Sequence, residues 1–83
     1  MNKLTDLPNI GKVLANKLIE AGIKTPEDLF DLGAEKAFLR IKMKDKDACL
    51  SKLCAIEGAV RGIRWHNLTA DRKQELGHFI KTC

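Results

Sequence analysis

Hydrophobic residues in this chain recur at spacings of three and four and nowhere alternate over the length of a strand, so the pattern predicts helices and no sheet. Leu4 and Leu7 lie on one side of a short first helix that Pro8 stops, since proline disfavours helical torsions in the residue before it. From Gly11, the positions Leu14, Leu18 and Ala21, with Ala15 and Ile19, mark a second helix. Gly22 ends it by taking the left-handed conformation of a C-terminal cap, and Ile23 is the apolar residue that often follows. Thr25 can cap the next helix through its hydroxyl, Pro26 fits the first helical position, and Glu27 and Asp28 favour the positive end of the dipole. That helix ends near Gly33. Another runs from about Ala34 to Met43 with Ala37, Phe38 and Ile41 inward, and the lysine-rich "KMKDKD" reads as a loop.

The longest helix starts after Asp45 or Asp47, either of which could cap it, and runs to about Arg64. Cys49, Leu53, Ile56, Val60 and Ile63 step by four and three along it as one buried seam. Trp65 follows at its end, Thr69 caps the last helix, and Leu76, Phe79 and Ile80 face inward. The expected fold is all-α: a small bundle of five to six short helices, forming a single domain over residues 1–83. "LTDLPNIG" and "LFDLGAEK" echo each other, but the match is too short to establish a repeat.

Composition agrees with a small globular chain. Its 83 residues are 45% hydrophobic and 31% charged, too apolar for disorder, and favour one modest core. No apolar run approaches a membrane span and no basic-then-apolar leader opens the chain, so a cytoplasmic location is expected. Cys49, Cys54 and Cys83 have no CxxC spacing and read as reduced thiols. The net charge of +4 permits contact with polyanions. Residues 1–30 balance, and most of the excess lies in Arg61, Arg64, Arg72, Lys73 and Lys81, opposed only by Asp71 and Glu75.

The residues Leu4, Leu7, Pro8, Ile10, Gly11, Ala15 and Leu18 resemble a helix-hairpin-helix (SAM-domain-like) core. Pro8 ends the first helix, Ile10 plugs the gap, and Gly11 lets backbone pass closely. The next helix then opens with unpaired N–H groups, which with the dipole form an anion site. In DNA-binding versions such a turn holds a backbone phosphate without reading sequence. The usual turn resembles Pro-Gly-Ile-Gly; here Asn9 replaces the first glycine. Asn tolerates left-handed torsions, so the turn survives, with a side chain that could crowd a phosphate. Lys12 and Lys17 are offset by Asp6 and Glu20. Two readings therefore stand: a joint that packs helices or binds protein, and a phosphate cradle of Asn9, Ile10, Gly11 and Lys12 helped by some of Lys17, Arg61, Arg64, Arg72 and Lys73.

"LPNIGKVLANKLIEAGIKTPEDL", "LGAEKAFLRIK" and "LCAIEGAVRGIRWHNLTADRKQEL", taken in order, resemble the C-terminal domain of the TfoX/Sxy family over nearly the whole chain. The first block is shared by many helix-hairpin-helix proteins, including the N-terminal domain of RadA recombinases; the last is the most distinctive. The resemblance implies a compact helical domain with no catalytic residues, metal or cofactor to carry over. Full-length members regulate natural competence in some bacteria and carry a second, N-terminal domain, for which 83 residues leave no room. Stand-alone versions are similar to bacterial proteins of unassigned function.

The remaining features each have two readings. Ser51, Ala55, Gly58 and Gly62 form a small-residue stripe on the long helix: either close packing within the chain, or a face for a protein partner or a second copy. Arg61, Arg64 and His66 surround Trp65, which could stack on a base, although a lone Trp in a small domain is more often core, and core is the expectation. His66 and His78 have no ligand partners at metal spacing and read as surface or cap residues. No nucleophile–base pair appears, so a non-catalytic regulatory or adaptor module is expected.

Overall fold

The computed structural model describes residues 3–45 and 48–82. The elements are a 3-10 turn at Leu4–Asp6, α1 (Lys12–Glu20), α2 (Pro26–Leu32), α3 (Ala34–Lys44), α4 (Leu50–Arg61), a second 3-10 turn at Trp65–Asn67, and α5 (Ala70–Lys81). No described residue lies in a strand. The architecture is the expected all-α bundle of five helices.

Local chemistry explains most boundaries. The Thr25 hydroxyl accepts the Asp28 N–H at 3.1 Å and the Thr69 hydroxyl accepts that of Arg72 at 3.1 Å, so both threonines cap as their positions suggested. Gly22 and Gly33, at φ 88° and 87°, stop α1 and α2 where a side chain would be strained. Three boundaries differ from the sequence reading. The first helix is only a 3-10 turn, because Pro8 leaves it no room to lengthen. α3 runs past the expected Met43 to Lys44, taking in the start of the lysine-rich stretch read as a loop. The long helix begins at Leu50 and stops at Arg61, since Gly62 takes φ 75°. Asp45 precedes α4 without capping it, and the alternative cap at Asp47 lies outside the described residues, as does Cys83.

α3 packs against α1, α2 and α4, and α4 against α5. Phe38, Ile41, Leu18, Ile23, Leu29, Leu53, Ile56 and Leu76 fill the shared core. Leu4, Leu7 and Ile10 join it from the N-terminal turn. The expected seam of α4 is buried at Leu53 and Ile56 and half-buried at Val60 and Ile63, but Cys49 is exposed. It sits one residue before the helix, where the helical period does not yet hold. Cys54 is the buried thiol, and burial pushes it above its ordinary value. Of the four aromatics, Phe38 is fully buried and Phe79 packs on the core, whereas Phe30 and Trp65 are exposed.

One charge is buried with this core. Glu57 on α4 is 5% exposed. Arg72 of α5 donates to both its carboxylate oxygens, Nε at 3.0 Å and Nη2 at 3.1 Å, and Arg61 donates from the next turn of α4. Arg72 also reaches Glu75 at 3.2 Å and stands 3.8 Å from Glu35 of α3, so one guanidinium ties three helices. Burial pushes the Glu57 carboxyl up, but the hydrogen bonds from Arg72 and Arg61 outweigh it and hold the group below its ordinary 4.5. The same bonds raise the Arg72 guanidinium above its ordinary value.

The sign of the pH dependence follows. A carboxyl depressed in the folded state contributes stability that is fully present above 4.5 and is lost as pH falls through the lower folded value. Glu57→Gln should therefore cost about 2 kcal/mol at neutral pH, by urea unfolding. Its gap to the wild type should close as pH falls below 4.5; a gap that persists at strongly acid pH would contradict the assignment.

Candidate nucleic-acid interface

The turn between the first 3-10 turn and α1 is built around Asn9. Its φ of 69° is the one positive value among the described non-glycine residues, a conformation that asparagine adopts more readily than most. The left-handed torsion therefore agrees with the sequence reading. The side chain, however, points into the protein. Its Nδ2 donates to the carbonyls of Ala55 at 3.3 Å and Ile63 at 2.9 Å, and its Oδ1 accepts the Trp65 N–H at 3.2 Å. One amide thus serves three backbone groups, one within α4 and two in the loop beyond it.

Gly58 makes room for that amide. A Cβ there would stand 2.5 Å from Asn9 Nδ2, 2.7 Å from the Ile63 carbonyl oxygen and 3.2 Å from Trp65 Cα. The small-residue stripe accordingly divides. Gly58 is filled from within the chain, Gly62 is a helix stop, Ala55 is half-buried and lends its carbonyl to Asn9, and Ser51 is exposed.

With the Asn9 side chain turned inward, the outer side of the turn is open. Gly11 is the N-cap residue of α1, in extended backbone at φ −93°, with no side-chain cap. The Ala15 N–H donates to its carbonyl at 2.9 Å, so the N–H groups ahead of Ala15 have no partner inside the helix. A Cβ on Gly11 would meet nothing within 4 Å. Residues 6–11 line one open hollow, and Arg64, from the loop after α4, joins them. Asp6 stands at the same rim, its Oδ2 accepting the Lys3 N–H at 3.3 Å.

The sequence-selected cations separate into two groups. Arg64 lies with Asn9, Ile10 and Gly11 at the hollow, and Lys12 is the exposed first residue of α1 beside it. Lys17 is engaged elsewhere, 2.7 Å from Asp45, which Lys52 also reaches at 3.0 Å. Arg61 and Arg72 are held by Glu57. Lys73 stands over the Trp65 ring, 5.7 Å from its centroid. The expectation that Trp65 is core is corrected: the residue is 46% exposed, because Gly62 stops α4 at Arg61 and the loop carries Trp65 out of the seam. Sequence reasoning missed Glu57, whose signals were Arg61 four residues on and the surplus of late arginines. It also missed the inward amide of Asn9, whose partners are more than 45 residues away. Among the described residues, no group of three or more His, Cys, Asp or Glu could hold a metal ion, and no helix is long and apolar enough to cross a membrane.

This sequence matches the TfoX C-terminal domain family over residues 1–80. It is 36% identical over 77 residues to Protein Sxy of Escherichia coli (strain K12), a match covering 93% of this chain and 37% of that protein. The chain thus spans little more than a third of that relative's length. Two solved structures of Listeria monocytogenes proteins are similar, each at 55% identity. One, an uncharacterized protein in a triclinic crystal form, superimposes with a TM-score of 0.95 over 99% of this chain and 92% of its own. The other, a protein of unknown function in a tetragonal form, gives 0.92 over 94% and 96%. The chain belongs to the TfoX C-terminal domain family.

The Asn9–Gly58 contact gives a test of sign. Alanine in an open helix is worth roughly 1 kcal/mol over glycine. Gly58→Ala should nevertheless destabilise the protein, because backbone at Ile63 as well as the Asn9 amide would have to move. A denaturant midpoint that rises in Gly58→Ala would show that the contact is not tight.

Proposed function

We propose that this TfoX C-terminal domain is a non-catalytic regulatory module that holds the phosphate backbone of nucleic acid at its Asn9–Lys12 turn, without reading sequence. The observation that carries this reading is Gly11. Its torsions suit any residue and its missing side chain faces open space, so apart from its place as N-cap no packing contact calls for glycine there. What glycine leaves open is the approach to the free N–H groups at the positive end of α1. Arg64 adds positive charge at the hollow, Lys12 follows Gly11 as the exposed first residue of α1, and Asp6 at the rim limits the charge. Few phosphates would be engaged, so binding should be weak and salt-sensitive. The family resemblance adds a regulatory setting, natural competence, for full-length members; a match to 37% of Protein Sxy makes this chain the counterpart of one part of such a protein.

A second reading, a protein adaptor, is supported by a different hollow, between the first 3-10 turn and α1. Leu4, Ala15 and Ile19 line it together with Lys3, Lys12 and Lys24, which would suit an acidic segment with an apolar anchor. It predicts a partner retained at moderate salt and no effect of duplex DNA.

Gly11→Val separates the two. Valine fits the extended torsions and its Cβ meets nothing within 4 Å, so its cost should be about 1 kcal/mol as a poorer cap. Anisotropy of a labelled duplex at low salt should give binding in the range of about 1–100 µM that weakens with salt. Gly11→Val should abolish that binding while the protein stays folded. No binding by the wild type at low salt would overturn the reading in favour of the adaptor.

A further inference from the structure

We propose that the exposed ring of Trp65 is a stacking platform for an unpaired base, so that the nucleic acid this domain takes is single-stranded or locally opened. The inference rests on the phosphate-cradle reading and adds the class of strand.

A half-exposed tryptophan gives up much of the burial that makes this side chain useful in a small core, and this core is closed without it. The backbone that carries the ring is held at both of its polar groups. The Trp65 N–H is bonded to Asn9 Oδ1 at 3.2 Å, and its carbonyl accepts the N–H of buried Leu68 at 3.2 Å. The His66 ring meets it edge-on, with centroids 5.1 Å apart and planes at 88°. Lys73 places an ammonium 5.7 Å from its centroid. An exposed aromatic ring with His66 and Lys73 against it, and Arg64 the preceding residue, matches the sequence-tolerant single-strand sites that combine base stacking with positive charge.

Its position relative to the cradle is the second argument. Asn9 supplies both the left-handed corner of the turn and the hydrogen bond that fixes Trp65. Arg64, the residue before Trp65, lines the hollow at Gly11. The turn that carries the phosphate site and the backbone that carries the aromatic ring are therefore joined by one side chain. In a strand, phosphate and base are joined through a single sugar. A base paired inside a duplex cannot offer its face to the ring without leaving the stack, whereas an unpaired base can.

Trp65 is the sole tryptophan and the chain has no tyrosine, so intrinsic emission reports this ring alone. The test titrates the full chain at low salt with oligo(dT) of about twelve nucleotides and with a duplex of equal length, following emission and, with labelled strands, anisotropy. The single strand should quench the emission strongly and bind about tenfold more tightly than the duplex, and the duplex should leave the emission nearly unchanged. Trp65→Leu should lose about tenfold in affinity for the single strand, with duplex affinity and thermal midpoint little changed, and Trp65→Phe should recover part of the loss. If the single strand binds, Gly11→Val abolishes that binding, and yet emission and the Trp65→Leu affinity do not change, stacking is overturned and the cradle stands. No binding of either strand overturns both. An emission blue shift that grows with protein concentration alone would assign the ring to self-association and overturn the inference.

Discussion

The hydrogen bonds of one amide set the arrangement of everything at the candidate site. Asn9 bridges the N-terminal turn to the carbonyls of Ala55 and Ile63 and to the N–H of Trp65. A turn of this kind, with only a three-residue 3-10 helix before it, has little intrinsic stability. Buried Leu4, Leu7 and Ile10 draw it onto the core, but apolar contacts do not specify an angle. The amide does, because its three bonds reach three separate backbone groups. It thereby decides where Gly11 faces and where the Trp65 ring emerges.

α4 is the member against which both ends of the chain are placed. Toward the N-terminus it offers the Gly58 hollow to Asn9; toward the C-terminus it offers the Glu57 carboxylate to Arg72 of α5. The two residues are neighbours, so the N-terminal turn and the last helix are anchored on adjacent positions. The buried pair also changes the meaning of the net charge. Arg61 and Arg72 are bound to Glu57, and Lys17 to Asp45, so less of the basic surplus is available to a polyanion than the composition suggests. Of the cations picked out in the sequence, Arg64 lines the hollow at the turn and Lys12 follows Gly11 in α1, so charge there is set by placement, not by abundance.

Local signals were legible and long-range ones were not. Thr25, Thr69, Gly22 and Gly33 act through their own torsions or a hydroxyl three residues from its donor, and their sequence context was enough to place them. The inward face of α3, at Ala37, Phe38 and Ile41, followed from spacing alone. Gly62 was legible as a small residue but not as a stop, since a glycine in a continuing helical period looks the same before its φ is known. That one misreading extended α4 too far. The expectation that Trp65 is core came instead from its being the lone tryptophan of a small domain. Cys49 failed at the other end because the helix begins only at Leu50. For the site, the turn from Asn9 to Gly11 was visible in the residues. The partners of Asn9, and the diversion of Arg61 and Arg72 to Glu57, depend on which distant segments meet. No window of sequence contains that information.

The fit of Asn9 against Gly58 also bears on how such a chain can change over generations. Position 58 has no room for a methyl group while an amide fills the space beside it, and position 9 cannot hold its three bonds if that space closes. The two sites, 49 positions apart, constrain each other: a smaller residue at 9 would remove one obstacle at 58 and free the turn from α4, but the backbone at Ile63 and Trp65 would still have to shift before a side chain could stand there. Divergent descendants that abandon the pair should therefore carry the N-terminal turn at a different angle, on an otherwise recognisable bundle.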